Sequence, residues 1–207
     1  MKFSGRIKLI LTAMLVFTTI ISFSNNNSVV SASVSTNQTI TPITNNLSKF
    51  NLDLQVKLPF TTTVNGLSYT LHKMMIYDVN SKDAKALMKQ YGYSSKTTCY
   101  PDMKYLIWTK ITITNKSKYK MGAYPDDMSE KWSYYLDDGR NFDKMMPMKE
   151  AWTYNSKSAL WAYILKPGET ITTYQAYALG GEFTNLRLTT SFKGVPGKEV
   201  QFATLKK

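Results

Sequence analysis

Downstream of residue 50, apolar and polar positions alternate over most of the chain. Phe50, Leu52, Leu54, Val56 and Leu58 are separated by single polar residues, a period of two that predicts a half-buried strand ended by Pro59. From Gly66 the run LSYTLHKMMIYDV predicts a second strand, whose alternation blurs at Met74, Met75 and Ile76, as it would in a strand covered on both faces or interrupted by a bulge. YLIWTKITITN from Tyr105 is the strongest strand pattern and suits the middle of a sheet. In WSYYLDDGRNF, Asp138-Gly139 between apolar flanks predicts a tight hairpin. ALWAYIL, the turn Lys166-Pro167-Gly168-Glu169, ETITTYQAYAL, FTNLRLTTSF and KEVQFATL complete the strands. A single helix is predicted between strands, capped by Asn80 or Ser81, with Asp83 in its first turn and Gly92 closing it. Strands broken by turn signals every ten residues or so predict an all-β, antiparallel β-sandwich with one short inserted helix over residues 50–207.

The first fifty residues follow a different pattern. Lys2, Arg6 and Lys8 precede an apolar run from Leu9 to Phe23, and VVSAS supplies small residues for cleavage after Ala32, the layout of a secretory signal over residues 1–32. Residues 33–49, rich in Ser, Thr and Asn, are expected to form a flexible tether. The expectation is a secreted, extracellular product associated with the cell wall, with no transmembrane anchor after signal cleavage. Cys99 is the one thiol, which excludes an internal disulfide and leaves a free or intermolecular Cys. The formal net charge is +12, and removing Lys2, Arg6 and Lys8 lowers it to +9. That excess suits an anionic cell-envelope polymer, or serves solubility, since the lysines are scattered. No recognition motif points to nucleic acid.

The order of these features, an opening strand after Val64-Asn65-Gly66, then YLIWTKITITNKS, YLDDGRNF, LKPGETITTYQAYAL and LRLTTSF, resembles the telokin-like, immunoglobulin-like extracellular domains of Gram-positive bacteria. A mycobacterial immunoprotective extracellular antigen is similar to the same group. The resemblance spans roughly residues 58–195 and implies an immunoglobulin-like sandwich. It implies no activity or catalytic residues. The chain departs from the pattern between Asn80 and Met103 and between Lys116 and Trp132, where loops would carry any specific partner.

Catalytic chemistry finds little support. His72 is the single His, lies in a strand pattern, and has no glycine-rich nucleophile turn to serve. With Cys99 it makes too few ligands for zinc. Met74, Met75, Met145, Met146 and Met148 with His72 would suit a soft metal only if they converged; otherwise they are gap-fillers or exposed loop residues. Asp126, Asp127 and Glu130, and Asp137, Asp138 and Asp143, match no calcium loop. The expectation is no catalytic residue, metal or cofactor. Three Trp residues each stand two before a Tyr, in WSYY, WTY and WAY, and within a strand each pair shares one face. WAY, with Leu160 and Ile164 on the alternate parity, is expected to be covered on both faces. Trp132 with Tyr134 and Trp152 with Tyr154 have polar neighbours, so each pair either fills the core or forms a binding platform among lysines. The function expected is non-enzymatic binding of an anionic cell-envelope polymer or an extracellular protein. The alternatives are a secreted carbohydrate-active enzyme, which would need an aromatic cleft with two carboxylates, and a proteinaceous inhibitor or immunity factor.

Overall fold

The Ile/Thr run from Tyr105 becomes the longest strand among the described residues and lies in the middle of the largest sheet. The computed structural model describes residues 42–94, 100–124 and 130–207, except the side chains of 130 and 131. In chain order the strands are β1 (Leu52–Leu54), β2 (Phe60–Val64), β3 (Leu67–Asp78), β4 (Met103–Asn115), β5 (Met121–Ala123), β6 (Glu130–Leu136), β7 (Asp143–Lys144), β8 (Tyr163–Leu165), β9 (Thr170–Gly180), β10 (Leu186–Phe192) and β11 (Val195–Leu205). A 3-10 turn, Leu47–Phe50, precedes β1, and the helix α1 (Lys82–Tyr91) follows β3. One sheet runs β2-β3-β4-β9-β7, a second β1-β11-β10-β6, and β5 pairs with β8 in a third. Every ladder is antiparallel. The fold is thus mostly β with one helix. The two-stranded sheet is not among the expected layers, and only Tyr163–Leu165 of ALWAYIL is extended.

β4 shows how one sequence serves three environments. Tyr105, Ile107, Ile111 and Ile113 face the main core, where they meet Trp132, Tyr134, Leu186, Leu188 and Phe202 of the second sheet. On the opposite parity Leu106 and Trp108 are buried in a second cluster with Ala84 and Met88 of α1. Further along that face Thr112 and Thr114 are only partly covered and hydrogen-bond to Thr172 and Thr170 (2.7 and 3.0 Å). Helix α1 forms where its caps predict: the Ser81 hydroxyl accepts from Ala84 N–H (3.2 Å), and Gly92 closes it at a positive φ of 75°. Trp108 is stacked between Tyr91 and Tyr174, with ring centroids 5.2 and 5.3 Å away.

The blur in β3 is a bulge. Leu71 pairs with Ile111 but Lys73 pairs with Lys110, so His72 is the extra residue and the inward parity passes from Leu67, Tyr69 and Leu71 to Met74 and Ile76. Two expectations at the start of the domain need correction. The strand predicted from Phe50 to Leu58 is reduced to Leu52–Leu54; Asn51, in a left-handed conformation (φ 57°), breaks the extended run on its N-terminal side. The tether expected over residues 33–49 does not reach Phe50. Met74 N–H donates to Thr44 O (2.9 Å), and the Asn46 side chain both accepts from Ile76 N–H and donates to Ile76 O (2.8 Å each). Buried Leu47 then joins the core. The signal segment, residues 33–41, Cys99, Asp126 and Asp127 lie outside the described residues.

The small third sheet depends on close approach at Gly122, where a Cβ would meet the Tyr163 carbonyl oxygen. Gly122→Ala is expected to cost roughly 1–3 kcal/mol by forcing β5 and β8 apart. Loss of amide protection confined to these two strands would check it; unchanged protection there would disprove it.

Candidate functional site

The three aromatic pairs separate by environment. Trp132 is 5% exposed and Tyr134 0%, so neither belongs to a surface platform. β6 does have one wet face, but Ser133 and Tyr135 occupy it, while Trp132, Tyr134 and Leu136 point into the core with Leu186 and Leu188 of the partner strand. Trp132 Nε1–H donates to the Tyr134 hydroxyl (3.1 Å), which satisfies the indole inside the core. In WAY, Tyr163 is buried as expected, whereas Trp161 is half-buried with Lys144 Nζ 5.2 Å from its ring centroid.

Trp152 and Tyr154 are the surface pair, at 77% and 43% exposure, and they sit on turns rather than on a strand. Glu150 N–H donates to Pro147 O (2.8 Å) and Thr153 N–H to Glu150 O (2.9 Å). Asn155, at φ 57°, ends the turns, and its side chain replaces a missing strand: Nδ2 donates to Ile164 O (2.8 Å) while Oδ1 accepts from Ile164 N–H (2.9 Å). The loop is therefore pinned to β8. Tyr154 meets the edge of exposed Tyr124 at the end of β5, with centroids 6.1 Å apart. The flanking sequence supplies exposed Lys157 after Tyr154 and exposed Lys118 and Lys120 before Tyr124, while Lys149 Nζ is turned to α1, donating to the carbonyls of Lys89 and Gln90 (2.8 and 3.0 Å). Tyr124, outside the four residues that periodicity singled out, joins the corner because β5 and β8 pair.

A second feature follows from the path of the chain after β6. Gly139 turns it (φ 87°) and Leu136 N–H donates to Arg140 O (2.8 Å), as the predicted hairpin requires. Instead of continuing beside β6, Asp143 and Lys144 cross to pair with β9. On β10, the strand paired with β6, Thr190 is approached by Thr62 of β2 (hydroxyls 3.4 Å apart). A cleft of about 670 Å3 is left along β6. Buried Trp132, Phe142, Gln175 and Tyr177 line its depth, and Ser133, Tyr135, Asn141, Asp143 and Thr189 its more exposed parts. Gln175 Oε1 accepts from the Tyr177 hydroxyl (2.9 Å). Desolvation by its surroundings raises the Asp143 carboxyl above the usual Asp range. A recess of about 470 Å3 adjoins it through shared Asn141 and Asp143 and is also lined by Asp102 and Arg140. Arg140 is fully engaged there, donating to Asp138 and to the carbonyls of Gly180 and Glu182.

The other chemical candidates are dispersed. His72 Nε2 lies 2.7 Å from the Thr112 hydroxyl, and burial, then Lys110, hold its imidazole below its ordinary pKa. Met74 is in the main core, Met145 lies under α1, and Met148 is exposed, so these three side chains do not converge. Asp137 pairs with Arg187 (2.7 Å) and Asp138 with Arg140 (2.6 Å). Among the described residues no three His, Cys, Asp or Glu side chains are grouped to hold a metal ion.

No protein-family model matches the chain, and no curated protein matches it. Among solved structures it is similar to the yjhA protein of Bacillus subtilis, at a TM-score of 0.39 and 11% identity, over 63% of this chain and 76% of that one. It is also similar to ycdA, a candidate lipoprotein of Bacillus subtilis, at a TM-score of 0.43 and 10% identity, over 71% of this chain and 38% of that one.

Proposed function

We propose that this is an exported, non-enzymatic binding domain, built as an immunoglobulin-like sandwich of the telokin-like kind, that attaches to an anionic polymer of the cell envelope through the corner formed by Tyr124, Trp152 and Tyr154. The observation that carries the reading is Trp152, 77% exposed at the head of a loop that Asn155 ties to β8. A large aromatic left in water on an anchored loop costs little entropy to use as a contact. The excess of basic residues supplies long-range attraction that salt would screen. The charged-then-apolar start of the chain supports export.

Retention of the purified protein on isolated Gram-positive cell walls tests this. The expected result is retention that declines as salt rises, and a loss of about tenfold in apparent affinity for the double variant Trp152→Ala, Tyr154→Ala, with its melting temperature unchanged. Retention indifferent to both salt and the double substitution would remove the reading. Selective capture of one extracellular protein in place of the polymer would move it to the protein-binding alternative.

A further inference from the structure

The cleft along β6 has the anatomy of a binding pocket in its own right. We propose that it binds a neutral, polyhydroxylated ring, one sugar residue or a disaccharide unit of an extracellular glycan. Its volume, about 670 Å3, lies within the range of roughly 300–1,000 Å3 that encloses a small organic ligand. The depth is floored by the edges of the nearly buried Trp132, Phe142 and Tyr177, an apolar floor of the kind that small-ligand pockets have. One polar group reaches that depth. Gln175 is 2% exposed, and its carbonyl oxygen is taken by the Tyr177 hydroxyl. Its amide nitrogen has no hydrogen-bond partner among the described residues. Gln175 lines the cleft, so this amide is a donor that a ligand oxygen can accept from. Ser133, Asn141 and Thr189 add donors and acceptors of the kind that ring hydroxyls match. Asp143 and Lys144 are the one acid and the one base in the lining, so it offers no cluster of like charge to select an ionic ligand.

A peptide fits less well. Strand addition needs a free edge, and the chain crossing β6 already occupies it from Tyr134 onward: Phe142 N–H donates to Tyr134 O (2.9 Å) and Asn141 bridges Tyr135. The edge left free of that crossing is the first part of β6, Glu130 to Ser133, away from the crossing chain.

The test uses the four Trp indole N–H resonances, assigned by substitution, with diacetylchitobiose, cellobiose and maltose as probes and tri-alanine and poly-glutamate as controls. At least one sugar is expected to move the Trp132 indole and the Gln175 side-chain amide while leaving Trp152 unmoved. Gln175→Leu, which keeps the volume and removes the donor, is expected to weaken that binding about tenfold. Ser133→Trp, made on the exposed parity of β6, is expected to fill the cleft and abolish the shift, and it serves should Gln175→Leu fail to fold. The proposal is overturned if none of the three sugars moves Trp132, if the shift survives Ser133→Trp, or if tri-alanine or poly-glutamate moves it in their place. Its fate is separable from wall attachment, because Trp152→Ala is expected to reduce wall retention and leave the sugar-induced shift intact.

Discussion

Tyr134→Ala is expected to lower stability by about 4–5 kcal/mol, whereas Trp152→Ala leaves it within about 0.5 kcal/mol. Tyr134 is 0% exposed, and its ring meets Tyr177 at 5.3 Å, Phe142 at 5.6 Å, Phe202 at 5.9 Å and Trp132 at 6.1 Å between centroids. Truncation removes those contacts from both large sheets at once and leaves a cavity that four other aromatic side chains cannot all collapse into. It also removes the acceptor of the Trp132 indole N–H, so a buried donor is left unsatisfied. For a chain of this size the loss corresponds to a fall in melting temperature of roughly 10–15 °C. Tyr134→Phe isolates the hydroxyl and is expected to cost only about 1–2 kcal/mol. Trp152 has little packing to lose. Thermal unfolding followed by near-ultraviolet circular dichroism checks all three variants; equal losses for Tyr134→Ala and Trp152→Ala would refute the division of the aromatic pairs into core and surface.

That division also shows what a linear pattern can and cannot specify. The β4 alternation, the Ser81 and Gly92 caps and the Asp138-Gly139 turn were legible because each is a local instruction, satisfied within a few residues. Parity along β6 was legible too, since Trp132 and Tyr134 do share a face opposite Ser133 and Tyr135. Which of those faces is dry is settled by β10, some fifty residues later, whose Leu186, Leu188 and Phe192 must stand on the same side. WTY misleads for another reason. A two-residue spacing is compatible with a turn as well as a strand, and the decisive signal was Asn155, a residue tolerant of positive φ that ends the run. The cleft was not readable at all, because it is produced by the chain leaving β6 for β9, and no property of Asp143 or Lys144 announces a change of sheet. Asn46 and Leu47 did carry a faint signal, one apolar residue after paired amides in a polar stretch, too short to outweigh the composition around it.

Asn115→Ala is expected to cost about 2–4 kcal/mol and to loosen the aromatic corner without dissolving the main core. Asn115 is 0% exposed and ends β4. Its Nδ2 donates to Tyr119 O (2.7 Å) and Leu165 O (2.9 Å), while Oδ1 accepts from the Ser117 N–H (2.9 Å) and hydroxyl (2.8 Å). One side chain thus ties the 117–119 turn, which leads into β5, to the last residue of β8. Its backbone fixes the next turn as well, since its N–H donates to Glu169 O (3.0 Å) and its carbonyl accepts from Gly168 N–H (2.8 Å). Those backbone bonds survive in the Ala variant, but Leu165 O loses the amide donor and Tyr119 O keeps only the Ser117 hydroxyl (2.9 Å). Amide exchange is therefore expected to quicken across β5, β8 and residues 117–119 while β3 and β4 remain protected. Asn115→Asp separates donors from acceptors. Its carboxylate would face the carbonyls of Tyr119 and Leu165, so the folded state would raise its pKa above the unfolded value of about 3.9. A raised folded pKa favours the protonated form, so this variant should be least stable near neutral pH and recover as pH falls through the carboxylate range. Since Tyr124 stands at the end of β5 and the Trp152 loop is pinned to β8, both variants should also weaken attachment through the corner. Uniform loss of exchange protection across all strands, or stability of Asn115→Asp that does not rise on acidification, would mean that Asn115 is not the local tie between these loops.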